Sequence, residues 1–485
     1  MTHVLRHIAI LASCCFWLTL ATAQRNTYTI PTQWSLEEYP EIAENILRHL
    51  ENNGYPFASI SLQTDSLSAQ PVFCIDTGIF VTFDSIVIKG DAKLSPSYLY
   101  PYLGIKRGRP YQESVVQQID KLLGDLPFVD VVRPTGVAFV KDKAIVYLYL
   151  NKRTVNQFDG YVGITPQDEN SGKIAFHGEL DLALANLFRL GERITLHWQS
   201  SNRHSQNLDI TAEFDYLFRT HFGLEGNFNL DKHDTSYLLL HYHIGIPYTF
   251  YKRNSLTTYF DYRSSSILNP ALLDLSSDSA CIDYSKRMYG VRIYFRETDA
   301  VLVPRKGWEG RLDASVGRRI IRENAHADAS LYHNIEMKKT NYRIEMMARG
   351  YVPLGKRFSM VPNIQFGSLL TGPHFYNELF YIGGEERIRG FNPNDIAAST
   401  FLLYSLEMRF HFMKNSFFML FFDGGVYEQA MANHYERDIP FGFGAGLNMA
   451  VRSGLFYLSY AMGRQQGNPL SFRTGKIHFG IKVAF

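Results

Sequence analysis

Lys476-Ile477-His478-Phe479-Gly480-Ile481-Lys482-Val483-Ala484-Phe485, the last ten residues of the chain, alternate strictly. Ile477, Phe479, Ile481, Val483 and Phe485 share one face of an extended strand, and Lys476, His478, Gly480, Lys482 and Ala484 share the other, because strand side chains repeat every two residues. Two upstream stretches repeat the pattern. Phe441, Phe443, Ala445, Leu447 and Met449 alternate with Gly442, Gly444, Gly446 and Asn448, and Leu402, Tyr404, Leu406, Met408 and Phe410 alternate with Ser405, Glu407 and Arg409. A soluble sandwich alternates too, but its outer face is charged, whereas the second face here is mostly Gly, Ser and isolated charges. The apolar set therefore suits lipid and the other set a lumen. Segments of this kind, each about ten residues long and separated by polar turns, number about sixteen from Val155 to Phe485. The stretch from Ala327 to Tyr351 reads as one long strand or two.

Composition points the same way. The chain carries 35 Phe and 30 Tyr against 4 Trp, concentrated in these segments. Beyond the N-terminus no stretch approaches the roughly 18 apolar residues of a membrane-spanning helix, so a membrane protein with this profile is a barrel. At the N-terminus Arg6 and His7 precede an apolar run from Ile8 to Leu20, and Ala21-Thr22-Ala23 offers a signal-peptidase site before Gln24. The alternative, a lipoprotein signal at Leu11-Ala12-Ser13-Cys14, conflicts with the apolar residues that continue past Cys14. After cleavage only Cys74 and Cys281 remain, too few for a disulfide framework. A formal net charge of +2 gives no sign of a nucleic-acid surface.

Two helices punctuate the region before the barrel. From Pro40, the residues Ile42, Ala43, Ile46, Leu47 and Leu50 fall on one helical face that stops at Gly54. Val115, Val116, Ile119, Leu122 and Leu123 repeat the pattern before Gly124. Each helix exits into a similar phrase, Gly54-Tyr55-Pro56-Phe57 and Leu126-Pro127-Phe128-Val129, which reads as an imperfect repeat. The second unit is complete: a strand over Phe83 to Ile88, a short helix opened by Ser95-Pro96, a longer one over Glu113 to Leu123, then strands over Val129 to Val140 and Ala144 to Leu150. This β-α-α-β-β order, with Leu103-Gly104-Ile105-Lys106-Arg107-Gly108-Arg109-Pro110-Tyr111 between the helices, resembles a polypeptide-transport-associated (POTRA) domain. The first unit lacks the family's first strand and helix.

Between the strands over Phe358 to Gly367 and Phe401 to Phe410 lies a long connection containing Tyr381-Ile382-Gly383-Gly384-Glu385-Glu386-Arg387-Ile388-Arg389-Gly390-Phe391. Loops of this length usually carry function. Its Ile388-Arg389-Gly390-Phe391 resembles the Val-Arg-Gly-Phe or Tyr of the BamA/TamA superfamily of outer-membrane assembly and translocation proteins. Phe421-Phe422-Asp423-Gly424-Gly425 matches that family's Phe-x-Asp-x-Gly, and Pro304-Arg305-Lys306-Gly307 its Pro-x-x-Gly. A terminal strand ending on Phe485 resembles the C-terminal signature of bacterial outer-membrane barrels. The order and spacing of these motifs extend the resemblance over nearly the whole mature chain. It divides into a signal peptide (1–23), a partial POTRA-like repeat (24–78), a POTRA-like domain (79–152) and a transmembrane all-β barrel (153–485), with loop 372–399 folded inward.

A loop folded into a lumen needs an anchor, and a guanidinium withdrawn from water needs a carboxylate of matching fork geometry. The resemblance makes Asp423 the partner of Arg389. Glu407, lumen-facing by alternation, is a second candidate. Gly390 allows a tight backbone and Phe391 packs on the wall. The resemblance also implies a weak seam between the first and last barrel strands, where an incoming strand adds by β-augmentation. The first strand, Phe158 to Gly163, is short and holds Gly160 and Gly163, and Gly480 interrupts the last. Gly weakens strands.

Other chemistry finds little support. His241 and His243 share one side of a strand but lack a third metal ligand at useful spacing. Glu385-Glu386 suits loop solvation, and neither a nucleophile elbow nor a phosphate-binding loop is present. No enzymatic activity, cofactor or metal is expected. The resemblance implies residence in the outer membrane of a Gram-negative bacterium, with the N-terminal module in the periplasm. Its implied function is to assist the folding and insertion of outer-membrane proteins. A dedicated pore of the two-partner secretion type carries the same motifs, whereas the repeats and the Arg389 loop disfavour a passive porin. Implied partners are unfolded outer-membrane or secreted polypeptides, outer-membrane lipid, and periplasmic or lipoprotein accessory subunits.

Overall fold

A computed structural model of the chain describes residues 37–64, 71–166, 174–200, 205–233, 236–251, 253–269, 280–301, 303–324, 332–333, 335–431, 434–451, 454–465 and 475–482. The signal peptide and Phe485 lie outside them. The chain groups into two compact units, one from residues 1–87, 106–118 and 135–147, the other from 88–105, 119–134 and 148–485.

Helix α1 (Tyr39–Glu51) takes Pro40 in its first turn, buries Ile42, Ala43 and Ile46, and is followed by Gly54 at φ +96°. Pro is tolerated there because a first-turn N–H has no intrahelical partner. Strands β1 (Ser59–Thr64) and β2 (Pro71–Asp76) then pair antiparallel. After β3 (Thr82–Lys89) comes α2 (Pro96–Leu103), capped where the Ser95 hydroxyl accepts the Ser97 N–H at 3.2 Å and ended by Gly104 at φ +71°. The N-cap fills one of the four orphan donors of the helix start. Helix α3 (Glu113–Gly124) buries Ile119 and Leu123. β4 (Val129–Val140) and β5 (Lys143–Lys152) complete a sheet in the order β3-β5-β4. The central strand is the one whose alternate residues, Ala144, Val146, Leu148 and Leu150, are wholly buried. This is the β-α-α-β-β order expected of a POTRA domain.

The barrel opens with β6 (Gln157–Pro166), β7 (Ile174–Ala185), β8 (Arg193–Ser200), β9 (Gln206–Phe214) and β10 (Leu224–His233). It continues through β11 (Tyr237–Tyr251), β12 (Asn254–Ile267), β13 (Tyr284–Thr298), β14 (Gly307–Ile321), β15 (Lys338–Pro353) and β16 (Phe358–Leu369). Two short strands, β17 (Phe380–Ile382) and β18 (Ile396–Ala398), form a hairpin of their own within the next connection. β19 (Thr400–Met413), β20 (Ser416–Ala430), β21 (Tyr435–Asp438), β22 (Phe441–Val451), β23 (Gly454–Arg464) and β24 (Lys476–Lys482) finish the ring.

Each strand pairs antiparallel with its neighbour and β24 closes on β6, so sixteen long strands make one barrel. The four-residue β21 extends the edge of β20 beside β22. Closure removes the free edges that would leave backbone groups unpaired in lipid. Among the described residues between Ala327 and Tyr351 one strand is found, β15, and the first strand is ten residues long where the sequence suggested six. β6 begins and β24 ends at one rim, the near rim. The β16–β19 connection springs from the opposite, far rim.

The alternation sorts as expected. Leu402, Tyr404, Leu406 and Met408 are exposed on the outer face, as are Ile477 and Phe479. A closed ring of such residues is costly in water and suits hydrocarbon. The lumen differs from its expected character. Along β8 to β15 it holds a dense charge network: Arg193 forks onto Asp215 at 3.0 Å, and Arg292 bridges Glu225 at 2.8 Å and Asp313 at 3.0 Å.

Candidate functional site

The β16–β19 connection turns back into the lumen and carries a small core of its own. Phe380 and Ile382 of β17, Ile396 and Ala398 of β18, and Ile388 and Phe391 between them pack with Phe401 and Leu403 of β19 and Tyr427 of β20. All are buried. Burying a Phe or Ile side chain contributes roughly 1.5–3 kcal/mol, which offsets the cost of ordering the loop. Gly383 and Gly384 turn the chain out of β17 at φ +126° and +85°.

Within this core Arg389 is 3% exposed and Asp423, at the middle of β20, 1%. The guanidinium meets the carboxylate in a fork, Nε to Oδ2 at 2.7 Å and Nη2 to Oδ1 at 2.7 Å, and the Arg389 backbone N–H adds a third bond to Oδ2 at 3.0 Å. Nη1 donates to Glu407 at 2.9 Å and Nη2 to Ser405 at 3.0 Å, while the Ser405 hydroxyl donates to Asp423 at 2.6 Å. The face of the guanidinium lies 3.7 Å from the centre of the Phe421 ring, a cation–π contact. Glu407 also takes Arg409 at 2.6 Å. Two cations therefore face two carboxylates, so the cluster is neutral and every charge has a hydrogen-bonded partner. That is the condition under which buried charge is tolerated.

The backbone beside Arg389 lies directly on the wall. Gly390 takes φ +95°, and a Cβ there would stand 2.6 Å from the Gly463 N of β23. A Cβ on Gly463 would in turn meet the Gly390 carbonyl at 2.7 Å, and one on Gly442 of β22 would strike the Arg389 carbonyl. Three glycines make a seat in which loop and strands touch backbone to backbone. Gly463→Ala is expected to lift the loop and cost about 1–3 kcal/mol, as overpacking of a tight core does. Urea unfolding of the protein in lipid vesicles measures this, and an unchanged midpoint would refute it.

Residues 186–485 match the Omp85 superfamily domain. The chain belongs to the Omp85 superfamily. Residues 81–152 match the surface antigen variable number repeat, a POTRA domain. Among solved structures the Omp85 fold recurs in BamA from Haemophilus ducreyi lacking POTRA domains 1–3, at 15% identity and TM-score 0.51, over 93% of this chain and 94% of that one. CdiB from Escherichia coli matches at 14% identity and TM-score 0.57, over 93% of this chain and 85% of that one. CdiB from Acinetobacter baumannii gives 14%, 0.55, 93% and 82%. Likeness at these identities is one of fold. No curated protein sequence matches the chain.

The remaining motif residues of the Omp85 barrel fall into place around the loop or away from it. Phe421 is the floor under Arg389, and a Cβ on Gly425 would collide with the Leu402 carbonyl of β19. Pro304 and Gly307 sit at the near-rim start of β14, with Gly307 at φ +121° against the β13 backbone. Val303, next to Pro304, packs with Phe421, so this turn abuts the floor of the Arg389 cluster. At the closure, Gly160 has no room for a Cβ because of the Glu179 and Leu180 backbone of β7, and a Cβ on Gly480 would stand 2.8 Å from the Tyr457 hydroxyl of β23. Both glycines lie on the strands that meet at the closure, β6 and β24, and each also has a close neighbour within its own hairpin. Gly163 pairs with His177.

Sequence reasoning missed a second group of loop contacts. Glu378, in the 3-10 turn Tyr376–Glu378, is fully buried between Lys286 of β13 and Arg319 of β14, each 2.8 Å away. Its neighbour Asn377 donates to the Ser265 hydroxyl of β12 at 2.7 Å and to the Ile282 carbonyl at 2.8 Å. An acidic residue in a polar-looking loop carries no sequence signal of this kind. His241 and His243 both lie in the lumen and share Asp261, at 3.0 and 2.7 Å. His243 also reaches Glu225, which Arg292 already engages. Asp261 is thus shared by the two imidazoles, and Glu225 by His243 and Arg292.

Proposed function

We propose that this chain is a non-enzymatic polypeptide-handling factor of the outer membrane of a Gram-negative bacterium, assisting the folding and insertion of β-barrel proteins, with its POTRA domain in the periplasm. The observation that supports it is the lumenal loop itself. Arg389 and Gly390 tie the loop to β19, β20, β22 and β23, next to the strand that closes the ring. A passive pore gains nothing from a buried ion cluster there. A factor that parts β24 from β6 needs the flank of that closure braced while client strands pair with the freed edge. The POTRA sheet, with β3 and β4 at its edges, offers extended clients the same kind of pairing. Clients on this reading are unfolded outer-membrane polypeptides. Lipid and periplasmic or lipoprotein accessory subunits are the other partners.

A dedicated secretion pore of the two-partner type is the second reading, favoured by the charged lumen along β8 to β15, which a hydrated extended chain could traverse. Depletion of the protein followed by proteomics of outer membrane and medium separates the two. Broad loss of barrel proteins is the expected result. Loss of one secreted polypeptide, with the barrels intact, would replace assembly by secretion.

A further inference from the structure

The Arg389 cluster holds only one end of the inward loop. The other end enters from the far rim, where Glu378 accepts from Arg319 Nη1 at 2.8 Å and from the Phe375 N–H at 3.0 Å, with the Lys286 ammonium 2.8 Å away. The Glu378 side chain is 0% exposed, and Arg319 and Lys286 are 2% and 8%. Around this turn Phe375 packs with Ile282, Tyr284, Ile321 and Tyr332. The polarity is the reverse of the deep anchor: there the loop supplies the cation and the wall the carboxylates, and here the loop supplies the carboxylate and the wall the cations.

The ion pairs tie the loop to β13 and β14 at one end and to β19 and β20 at the other, and its outermost contacts stand farther apart still. Asn377 is bonded to Ser265 on β12, whereas Glu385 accepts from Ser459 on β23 at 3.0 Å and Gly390 rests on Gly463 of the same strand. β12 and β23 are eight places apart in a ring of sixteen long strands, so the loop crosses the lumen. We propose that Glu378 is a second anchor and the positioning residue for the first: by pairing Lys286 and Arg319 it fixes the far-rim end of a strut, and so keeps Arg389 in register with Asp423. This goes beyond the functional reading above and holds for an assembly factor or a secretion pore alike.

Charge and volume can be separated at this anchor. Glu378→Gln keeps the side-chain volume but leaves two buried cations without a counter-charge. Removing one of them in Lys286→Met/Glu378→Gln returns the site from a net charge of +2 to the wild-type +1 and ends the repulsion between the two cations, with the introduced amide oxygen able to accept from Arg319. Between residues 370 and 399 the only Lys or Arg residues are Arg387 and Arg389, so trypsin cuts this loop only when its deep end leaves the wall. With the full chain in lipid vesicles, Glu378→Gln is expected to speed cleavage after Arg387 and Arg389 at least about tenfold, while the double variant returns to within about threefold of wild type. Mass spectrometry identifies the fragments, and heat-dependent gel mobility reports that the barrel is folded. Cleavage of Glu378→Gln at the wild-type rate would overturn the proposal. So would a double variant that cleaves faster than the single one or fails to fold, since either would give Glu378 a packing role and not a charge-pairing one. If the single variant fails to fold while the double folds and resists trypsin, charge pairing is upheld. Client handling enters none of these readouts, so the outcome is independent of the depletion experiment.

Discussion

Arg389→Ala and Asp423→Ala are each expected to abolish client handling while the barrel still folds and inserts. The cluster ties the loop to β19 and β20, which are held to each other by their own backbone ladder, so the sheet survives its loss. The energetic effect is large. Breaking a buried, hydrogen-bonded pair typically costs about 3–5 kcal/mol, because the remaining partner keeps its charge without compensation. A value of about 1–3 kcal/mol would apply to a wet lumen, but at 3% and 1% exposure the pair is not wet. A double-mutant cycle on unfolding in lipid vesicles should give a coupling near the upper range, about 3 kcal/mol or more. Arg389→Lys should recover little. An ammonium cannot make the fork onto both Asp423 oxygens and reach Glu407 and Ser405 at the same time. Full activity of Arg389→Lys, or a coupling below about 1 kcal/mol as for an exposed pair, would mean that the loop is held elsewhere.

The barrel was legible because each strand contributes two independent signals, an apolar face and an ending in polar turn residues. Alternation fixes which residues face lipid before any partner is known. Leu402, Tyr404, Leu406 and Met408 required no knowledge of β16 or β20 to be placed. The POTRA helices were legible for a similar local reason: Ser95-Pro96 and Gly104 carry their own capping chemistry. What the sequence hides is register. Glu378 finds Lys286 and Arg319 only because β13 and β14 pair so that Lys286 stands opposite Arg319, ninety-odd and about sixty positions from the loop. Nothing near Glu378 announces this, whereas Arg389 sits in a phrase that resembles a known family. The glycine seat was half visible. Gly442, Gly444 and Gly446 mark a strand face without side chains, but the loop carbonyl that meets Gly442 approaches from about fifty residues upstream, while Phe421 and Met419 of β20 reach Gly444 and Gly446. The close contacts of Gly160 and Gly480 inside their own hairpins were hidden for the same reason. Their missing side chains make room for β7 and for Tyr457, contacts that exist only once the hairpins are registered.

The central claim is that the closure between β24 and β6 parts during function, and it carries the other large expected effect. In the structure β24 is paired with β6, so the ring is shut. Opening it exchanges bonds between these two strands for bonds to a client strand, and the wall behind β23 stays braced by the loop. A covalent link across the closure blocks that exchange without touching the Arg389 cluster. The measurement is made in the full chain with Cys74 and Cys281 replaced by Ser and one cysteine at Asp159 of β6. The second cysteine is scanned through His478, Gly480 and Lys482 of β24, and the pair that crosslinks quantitatively on a non-reducing gel is kept. Insertion of client barrels into lipid vesicles should stop in the oxidised protein and return on adding reductant. Full insertion activity with the closure quantitatively crosslinked would contradict the account and leave passage along the lumen as the route a client takes.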